Sequence, residues 1–329
     1  MPVGRYRVAS FSIKAGPTMD AASQTATRIG VDLGGTKVSA TLLDADGREL
    51  ARHRAGTPRA YDATIAALAQ AVAALEGQAG SQVEMAGASV GIGLPGIVDP
   101  VAGTVRAVNL PWLDGRPFAA DAARALGRPV RIANDANTFV LSEAVDGAAA
   151  GAPVVFGIIL GTGVGGGIVI DRRILPGANA MAGEWGHTPL PWRTPEDGPP
   201  EPCGCGRVGC VETLLSGAGL ARLHARRTGE AAEPPEIAAR AAAGDAAALG
   251  TLRHHADALA RALAAVINLL DPDAIVVGGG LSGLPGLYES VPALWGRWAL
   301  SPAPRTRFAQ ARHGADSGVR GAAWLWPPC

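Results

Sequence analysis

The sequence predicts an α/β protein built as two similar halves around a cleft. Its 329 residues suffice for about two domains of ordinary size, and 48% of them are hydrophobic, enough for a large core. Two glycine-rich turns, near residues 33–36 and 161–167, each join two strand-like apolar runs. Because the same hairpin pattern occurs twice, with strands and helices alternating around it, we predict a duplicated α/β unit.

The predicted elements of the first half alternate between strands and helices after the opening hairpin. Strands are identified by short runs of aliphatic residues, and helices by apolar residues that recur every three or four positions. This half is taken as an N-terminal α/β domain of residues 28–145. Its predicted elements are strands 28–32 and 37–43, a helix over 63–75, a strand over 86–93, a helix over 118–126, a strand over 130–133 and a helix that begins at Thr138.

A stretch of small residues over 147–151 is predicted to be the hinge that leads into a second α/β domain, residues 146–314. Apolar residues between 252 and 270 mark one face of a helix, which ends where a proline follows. The segment 189–202 is rich in proline and has no apolar periodicity, so it is predicted to be an exposed loop. The predicted strands of this half are 154–160, 168–170 and 274–277.

Charge and composition exclude several function classes. The 29 basic and 29 acidic side chains cancel, which argues against a general nucleic-acid binder, because phosphate backbones are held by basic surfaces. The sequence has no run of about 18 apolar residues, so a membrane span is excluded. The four cysteines do not form a disulfide framework, which indicates a reducing, cytoplasmic setting. Residues 1–27 make a poor secretory signal and are predicted to be a disordered extension, with Met19 as an alternative start.

Three glycine-rich turns are candidate phosphate-binding loops. Their backbone N–H groups can approach phosphate oxygens because glycine has no side chain, and Asp32 beside the first turn can hold a magnesium ion through water. An ordinary tight turn is the alternative for each one, but three together favour nucleotide binding. The residues concerned are Gly34, Gly35, Thr36 and Lys37 in the first turn, Gly161, Thr162, Gly163 and Gly165 in the second, and Gly278, Gly279 and Gly280 in the third.

Asn134 and Asp135 follow directly after the predicted strand 130–133. A carboxylate at the end of a buried strand is costly unless it faces a ligand cleft, although a helix N-cap would also explain an acid there. Beside phosphate-binding turns the functional interpretation gains weight, because an aspartate can accept the proton of a sugar hydroxyl as that oxygen attacks a phosphoryl group. Asp135 is therefore the candidate catalytic base.

A cluster of cysteines in the second half has the composition of a metal site. Cys203, Cys205 and Cys210 with His187 upstream provide three thiolates and one imidazole, a closed tetrahedral set that suits a structural zinc ion. Three free thiols in a tight loop are the alternative. Glu184 and Glu212 flank the set, and a metal that fixes their backbone would aim both carboxylates at a shared ligand.

Together, these motifs resemble those of the ROK family of sugar kinases and repressors, in the family's order. The segments that carry the resemblance are DLGGTK, NDAN, LGTGVGGG, GEWGH, CGCGRVGCVE and VVGGG, and it extends over residues 28–329. The family implies the actin-like ATPase (ribonuclease H-like) fold, in which two α/β domains close on sugar and ATP. It also implies a C-terminal helix, about residues 315–329, that packs back on the first domain.

The resemblance implies roles for the residues at matching positions. Asp135 becomes the catalytic base, and Asp32 the carboxylate near the magnesium ion and the phosphates. His187 would bind zinc through one ring nitrogen and the sugar through the other. The zinc-binding segment is 187–210, and the resemblance explains no role for the proline-rich loop inside it. The residues expected to shape or line the sugar pocket are Gly93, Gly96, Asn109, Asn134, Asp135, Glu184, His187 and Glu212.

Within the family the likeness is strongest to bacterial fructokinases of the mannokinase type, through RHRAGTPR, SEAVDGAAAG, GEWGHTPLPW and GVRGAAWLWP. It implies ATP-dependent phosphorylation of a hexose at its 6-hydroxyl, with fructose preferred over mannose and glucose. N-acetylglucosamine kinase and glucokinase of the same family are the alternatives. A sugar-responsive repressor is disfavoured, since only 27 residues precede the first hairpin, too few for a helix-turn-helix module. A homodimer is left open, because no interface is legible in the sequence.

Overall fold

A computed structural model of the protein describes residues 27–79, 88–107 and 109–326. Most of the predicted extension, the first two residues of the predicted strand 86–93 and the last three residues of the predicted C-terminal helix lie outside these described residues. No helix in the described part of the chain has both the length and the apolar character needed to cross a membrane.

The first half is a five-stranded mixed sheet in the order β3-β2-β1-β4-β7, with β1 at its centre. β1 and β2 form the predicted antiparallel hairpin, while β4 and β7 extend the sheet parallel to β1. A two-stranded ribbon, β5-β6, lies outside this sheet. The bounds are β1 (Arg28–Leu33), β2 (Lys37–Leu43), β3 (Glu49–Gly56), α1 (Tyr61–Ala79), β4 (Ser89–Leu94), β5 (Ile97–Val98), β6 (Val105–Arg106), α2 (Phe118–Leu126), β7 (Val130–Asn134) and α3 (Asp135–Val145).

The second half repeats this plan with a sheet in the order β10-β9-β8-β11-β12. Its hairpin β8-β9 is again antiparallel, and β11 and β12 again continue in parallel. The bounds are β8 (Val154–Leu160), β9 (Val164–Ile170), β10 (Arg173–Ile174), α4 (Glu212–Leu215), α5 (Gly217–Thr228), α6 (Pro234–Ala242), α7 (Ala246–Leu270), β11 (Ala274–Gly278), α8 (Leu287–Trp295), β12 (Arg307–Gln310) and α9 (Ser317–Ala323).

The last helix, α9, leaves the second half and packs against β1, β4 and α3 of the first half. The approach is close enough to require glycine. A Cβ atom on Gly30 would lie 2.0 Å from the carbonyl oxygen of Val319, and one on Gly91 would lie 1.9 Å from that of Ala322. Any larger residue at these two positions would push α9 away from the sheet.

Several predicted boundaries are wrong. α3 begins at Asp135 rather than at Thr138, because Asn134 caps it: the side-chain oxygen of Asn134 accepts the backbone N–H of Ala136 at 2.9 Å. β9 begins at Val164 rather than at residue 168, so its glycines belong to the strand and not to the turn. The elements β3, β5, β6, β10, β12, α4, α5, α6 and α8 were not predicted.

The segment 189–202 is largely at the surface, as predicted, but Leu190 and Asp197 within it are buried. Asp197 is fully buried and forms an ion pair with the equally buried Arg261 of α7, through contacts of 2.7 and 2.9 Å. His254 of α7 contacts the same carboxylate at 2.8 Å. The buried anchor at Asp197 was not predicted, because its partners lie far away in the chain, and their pairing compensates the cost of burying its charge.

Candidate functional site

A cavity of about 430 Å³ lies between the two halves, at the ends of their strands. The first half contributes Asp32 and Asp135 to its lining. The second half contributes the predicted third turn, Gly278–Gly280, together with Ile159 and residues of the segment that leads into α9. Two sequence-predicted carboxylates and one predicted glycine turn therefore meet in one place.

Asp135 is the first residue of α3 and partly exposed to the cavity. One of its carboxylate oxygens accepts the N–H of Ala136 at 2.8 Å, which fixes the side chain at the helix start. Burial raises the pKa of Asp135, and this outweighs the hydrogen bonds that lower it. A carboxylate with a raised pKa holds a proton more readily, which suits a general base.

Asp32 lies near the end of β1, just before the first glycine turn. Burial, followed by the negative charge of Asp135, raises the pKa of Asp32 to about 6, while Lys37 acts to lower it. Both carboxylates line the same cavity. Such a pair favours a cation or a shared proton between them.

The second glycine turn, Gly161–Gly163, joins β8 to β9 and lies beside a larger cavity of about 840 Å³. That cavity is lined by Gly161 and Thr162, by residues of α5 and α6, and by Gly280. Gly280 also lines the cavity with the two carboxylates, so the two spaces adjoin at this residue. A ligand that extends from Asp32 and Asp135 past Gly280 would therefore reach the second glycine turn.

The third turn approaches its neighbours closely. A Cβ on Gly278 would lie 2.5 Å from the ring of Phe139, and Gly279 has a φ of +84°. By contrast, a Cβ on Gly280 would meet nothing within 4 Å, since it faces the open cavities. The first two glycines are thus needed for the fold of the turn, whereas Gly280 leaves the cavity accessible.

Glu212 begins α4 and connects the second turn to the cysteine cluster. One of its oxygens accepts the backbone N–H of Val164 at 2.9 Å. The other lies 3.5 Å from the sulfur of Cys203. This carboxylate is therefore held at a defined place between the two features.

Glu184 precedes a 3-10 turn, Trp185–His187, that is fixed against β9 by a hydrogen bond from the Trp185 indole to the carbonyl of Gly165 at 2.9 Å. Burial of its carboxyl raises the pKa of Glu184, and the charges of Asp135 and Glu212 raise it further, although the nearby His187 lowers it. Glu184 and Glu212 thus both lie beside the cysteine cluster, Glu184 three residues before His187 and Glu212 against Cys203. A sugar site that they share with Asp135 stays a prediction.

His187, Cys203, Cys205 and Cys210 come together as predicted, and their ligand atoms all lie within 4.8 Å of one another. Nδ1 of His187 is 3.5 Å from the sulfur of Cys203, and the sulfurs of Cys205 and Cys210 are 3.7 Å apart. An ion with tetrahedral bonds of about 2.0–2.3 Å separates its ligand atoms by roughly 3.3–3.8 Å. The donor set and these two separations therefore suit a tetrahedral metal ion.

Gly93 and Gly96 have little room for a side chain, and their place in the sugar pocket stays a prediction. A Cβ on Gly93 would lie 2.9 Å from the hydroxyl of Thr138, and one on Gly96 would lie 2.6 Å from the carbonyl of Arg106. Asn109 is exposed, and its carbonyl lies 3.6 Å from the position of a Cβ on Gly35, beside the first turn. Sequence reasoning missed the lining residues Phe139, Ile159, Ser282, Gln310, Ala311, Gly314, Ala315 and Gly318. The duplicated hairpin was the signal that could have indicated Ile159.

Comparisons with known proteins agree with this arrangement. A family model described as the ROK family matches residues 28–328. An N-acetyl-D-glucosamine kinase from Escherichia coli O6:H1 is 40% identical over 302 residues, which cover 90% of this chain and 98% of the relative.

Two solved structures are similar over nearly the whole chain. The ROK hexokinase from Thermus thermophilus superimposes with a TM-score of 0.79 at 33% identity, covering 91% of this chain and 97% of that one. A ROK family glucokinase from Streptomyces griseus, solved with glucose and AMPPNP, has a TM-score of 0.70 at 33% identity, with 91% and 98% coverage.

Proposed function

The chain belongs to the ROK family, and we propose that it is an ATP-dependent kinase that phosphorylates N-acetylglucosamine at its 6-hydroxyl. Its fold is the actin-like ATPase fold of the family's sugar kinases. The observation that carries the proposal is the pair Asp32 and Asp135, which share one cavity between the halves and both have raised pKa values.

In the proposed reaction, Asp135 accepts the proton of the sugar 6-hydroxyl as that oxygen forms a bond to the terminal phosphorus of ATP. The bond between this phosphorus and the bridging oxygen breaks, and ADP leaves with the electron pair. The N–H groups of Gly34 and Gly161 donate within their own turns, so other backbone N–H groups of the three glycine turns would hold phosphate oxygens. A magnesium ion, when bound near Asp32, would neutralise phosphate charge.

Three side chains of the second half are proposed to hold the sugar. Glu184 and Glu212 can accept hydrogen bonds from ring hydroxyls, and Nε2 of His187 can bind another. From the first half, Asn134 and Asn109 are proposed to complete the pocket. We further propose that His187 and the three cysteines hold one structural zinc ion, which keeps Glu184 and Glu212 in place.

The choice of N-acetylglucosamine is supported by relatives of that name at 40% identity over 90% of the chain. The fructose preference predicted from sequence is not supported by any of these relatives. Glucose is the second candidate, because the two solved structures reported above are a hexokinase and a glucokinase. Hydroxyl-binding carboxylates serve all of these sugars, so the selection depends on a few contacts of about 1–3 kcal/mol each.

Measuring kcat/KM with ATP for N-acetylglucosamine, glucose, mannose and fructose tests the proposal. We expect N-acetylglucosamine to exceed each other sugar by about tenfold or more, equivalent to about 1.4 kcal/mol. ATP hydrolysis without sugar should be low, because closure of the halves excludes water. The Asp135→Asn variant controls for contaminating kinases. A comparable excess of glucose or fructose would refute the N-acetylglucosamine assignment.

A further inference from the structure

The chain crosses between its two sheets twice, and one buried carboxylate contacts both crossings. The first crossing, residues 146–153, joins α3 to β8, and the second, residues 311–316, joins β12 to α9. Glu143 lies near the end of α3, and its side chain is fully buried. A carboxylate removed from water is costly unless hydrogen-bond donors surround it, so the partners of Glu143 show what it holds together.

Each oxygen of Glu143 accepts two hydrogen bonds. Oε2 accepts the backbone N–H of Ala148 in the first crossing at 2.8 Å and that of Arg312 in the second crossing at 2.9 Å. Oε1 accepts the N–H of His313 at 3.1 Å and the hydroxyl of Ser317, at the start of α9, at 2.9 Å. Donors from both crossings therefore meet at one side chain.

The segments held by Glu143 extend directly into the candidate active site. The second crossing contributes Ala311 and Gly314 to the lining of the cavity that contains Asp32 and Asp135. The helix that carries Glu143 begins with Asp135, about 12 Å away along the helix axis. One rigid helix thus has the proposed base at one end and the junction of both crossings at the other.

We propose that Glu143 is a positioning residue that couples closure of the two halves to the alignment of Asp135. This rests on the proposed kinase function, in which the halves close on sugar and nucleotide. The four hydrogen bonds keep both crossings attached to the end of α3 while the halves move, so that closure brings Asp135 to the sugar in a single geometry. Asp146 of the first crossing also contacts His313 of the second at 3.0 Å, but this contact is partly exposed. Without the buried carboxylate of Glu143 the crossings are held less firmly to α3, and closure no longer produces that geometry.

The test is the Glu143→Gln variant, whose amide nitrogen cannot accept hydrogen bonds and faces two donors. We expect kcat to fall at least about tenfold while the KM for sugar changes less than about threefold, since misplacement of reacting groups affects the chemical step. Small-angle X-ray scattering should show that N-acetylglucosamine with AMPPNP compacts the wild type, and that more than half of this compaction is lost in the variant.

A matched control is Asp197→Asn. Asp197 is also fully buried and also surrounded by donors, from Arg261, His254 and the N–H of Thr194, but all of them lie within the second half. This variant should lose stability and still compact when ligands bind. An equal loss of compaction in Asp197→Asn would attribute the effect to general destabilisation and overturn the proposal.

A second variant, Ser317→Ala, removes one of the four donors and leaves the carboxylate in place. We expect a smaller fall in kcat than in Glu143→Gln. If Glu143→Gln does not fold, Ser317→Ala serves as the test of the role of Glu143. Full compaction with kcat within twofold of the wild type in the folded variants would refute the role of Glu143. A wild type that neither compacts with any of the four sugars nor phosphorylates them would instead refute the kinase function itself.

Discussion

The two sheets have the same strand plan, yet they contribute different chemistry at equivalent positions. Asp32 and Ile159 are each the last residue but one of the first hairpin strand in their half, β1 and β8, and both line the same cavity. Asp135 and Ala311 each directly follow the last strand of their sheet, β7 and β12, and line it too. The first half has a carboxylate at both positions, and the second half has an apolar residue.

The second half carries the carboxylates proposed to act in the site elsewhere. Glu184, Glu212 and the metal-ligand cluster belong to a long insertion between β10 and α5, which has no counterpart of similar length between β3 and α1. The proposed functions therefore differ between the halves: proton transfer and magnesium binding for the first half, and zinc binding with three of the sugar-binding side chains for the second. Substitution of Asp32 or Asp135 should then lower kcat, whereas substitution of Glu184, Glu212 or a zinc ligand should raise the KM for sugar.

The largest effect is expected for Asp135→Asn. An amide cannot accept the proton of the attacking hydroxyl, so kcat should fall by roughly 10²–10⁴-fold. Sugar and nucleotide should still bind, since the loops that hold them are unchanged, and calorimetry with AMPPNP checks this. A variant with kcat near that of the wild type would show that the first half does not supply the base.

A smaller effect, on KM rather than kcat, is expected for Cys205→Ser. Loss of a metal ligand should release the ion and loosen Glu184 and Glu212, raising the KM for sugar about 10–100-fold, the range typical of disrupted metal sites. Metal analysis of the purified protein should find about one zinc per chain in the wild type and less in the variant.

The matched control for this experiment is Val208→Ala, an exposed residue in the same loop. It should retain both the metal and the KM of the wild type. Full activity of Cys205→Ser, or a wild type free of zinc, would contradict the proposed site.

The pH dependence of kcat/KM tests the proposed role of Asp32 in the first half. Because the pKa of Asp32 is raised to about 6, kcat/KM for ATP should fall as the pH drops below about 6 and this carboxylate loses its charge. Lys37 lowers the pKa of Asp32, so Lys37→Met should move the acid limb of the profile to higher pH. An acid limb that is insensitive to Lys37→Met would exclude Asp32 as its cause.

The raised pKa of Asp32 also makes the stability of the protein depend on pH. The folded state holds the proton of Asp32 more tightly than the unfolded chain does, so stability from this group is lost as the pH rises from the ordinary aspartate range through about 6. The loss should be smaller in Asp32→Asn, as measured by urea unfolding at several pH values.

The smallest effect is expected for Ile159→Val, at the position equivalent to Asp32. It removes one methyl group from a partly buried side chain and should cost about 0.5–1.5 kcal/mol of stability, with kcat within twofold of the wild type. A large fall in kcat would show that Ile159 also takes part in the chemistry, and would contradict the proposed difference between the two halves.

Local patterns predicted much of the fold. The bounds of α2 and β8 follow directly from their apolar spacing, and the turn between β1 and β2 from its glycines. β3 was missed because it is an edge strand whose exposed face carries charged residues, which conceals its alternation. α5 and α6 were missed because they are short and rich in alanine and arginine, with few apolar positions to reveal a period.

By itself the sequence determined the residues that can do chemistry and the strand ends at which they lie. Turn preference, helix capping and apolar periodicity act over a few residues, so Asp32, Asp135 and the cysteine cluster could be identified from their neighbours in the chain. Only the tertiary structure decided which groups meet. Glu143 contacts Arg312, and Asp197 contacts Arg261, across 169 and 64 positions of the chain. A buried carboxylate is stable only where hydrogen-bond donors surround it, and here folding brings those donors from distant segments.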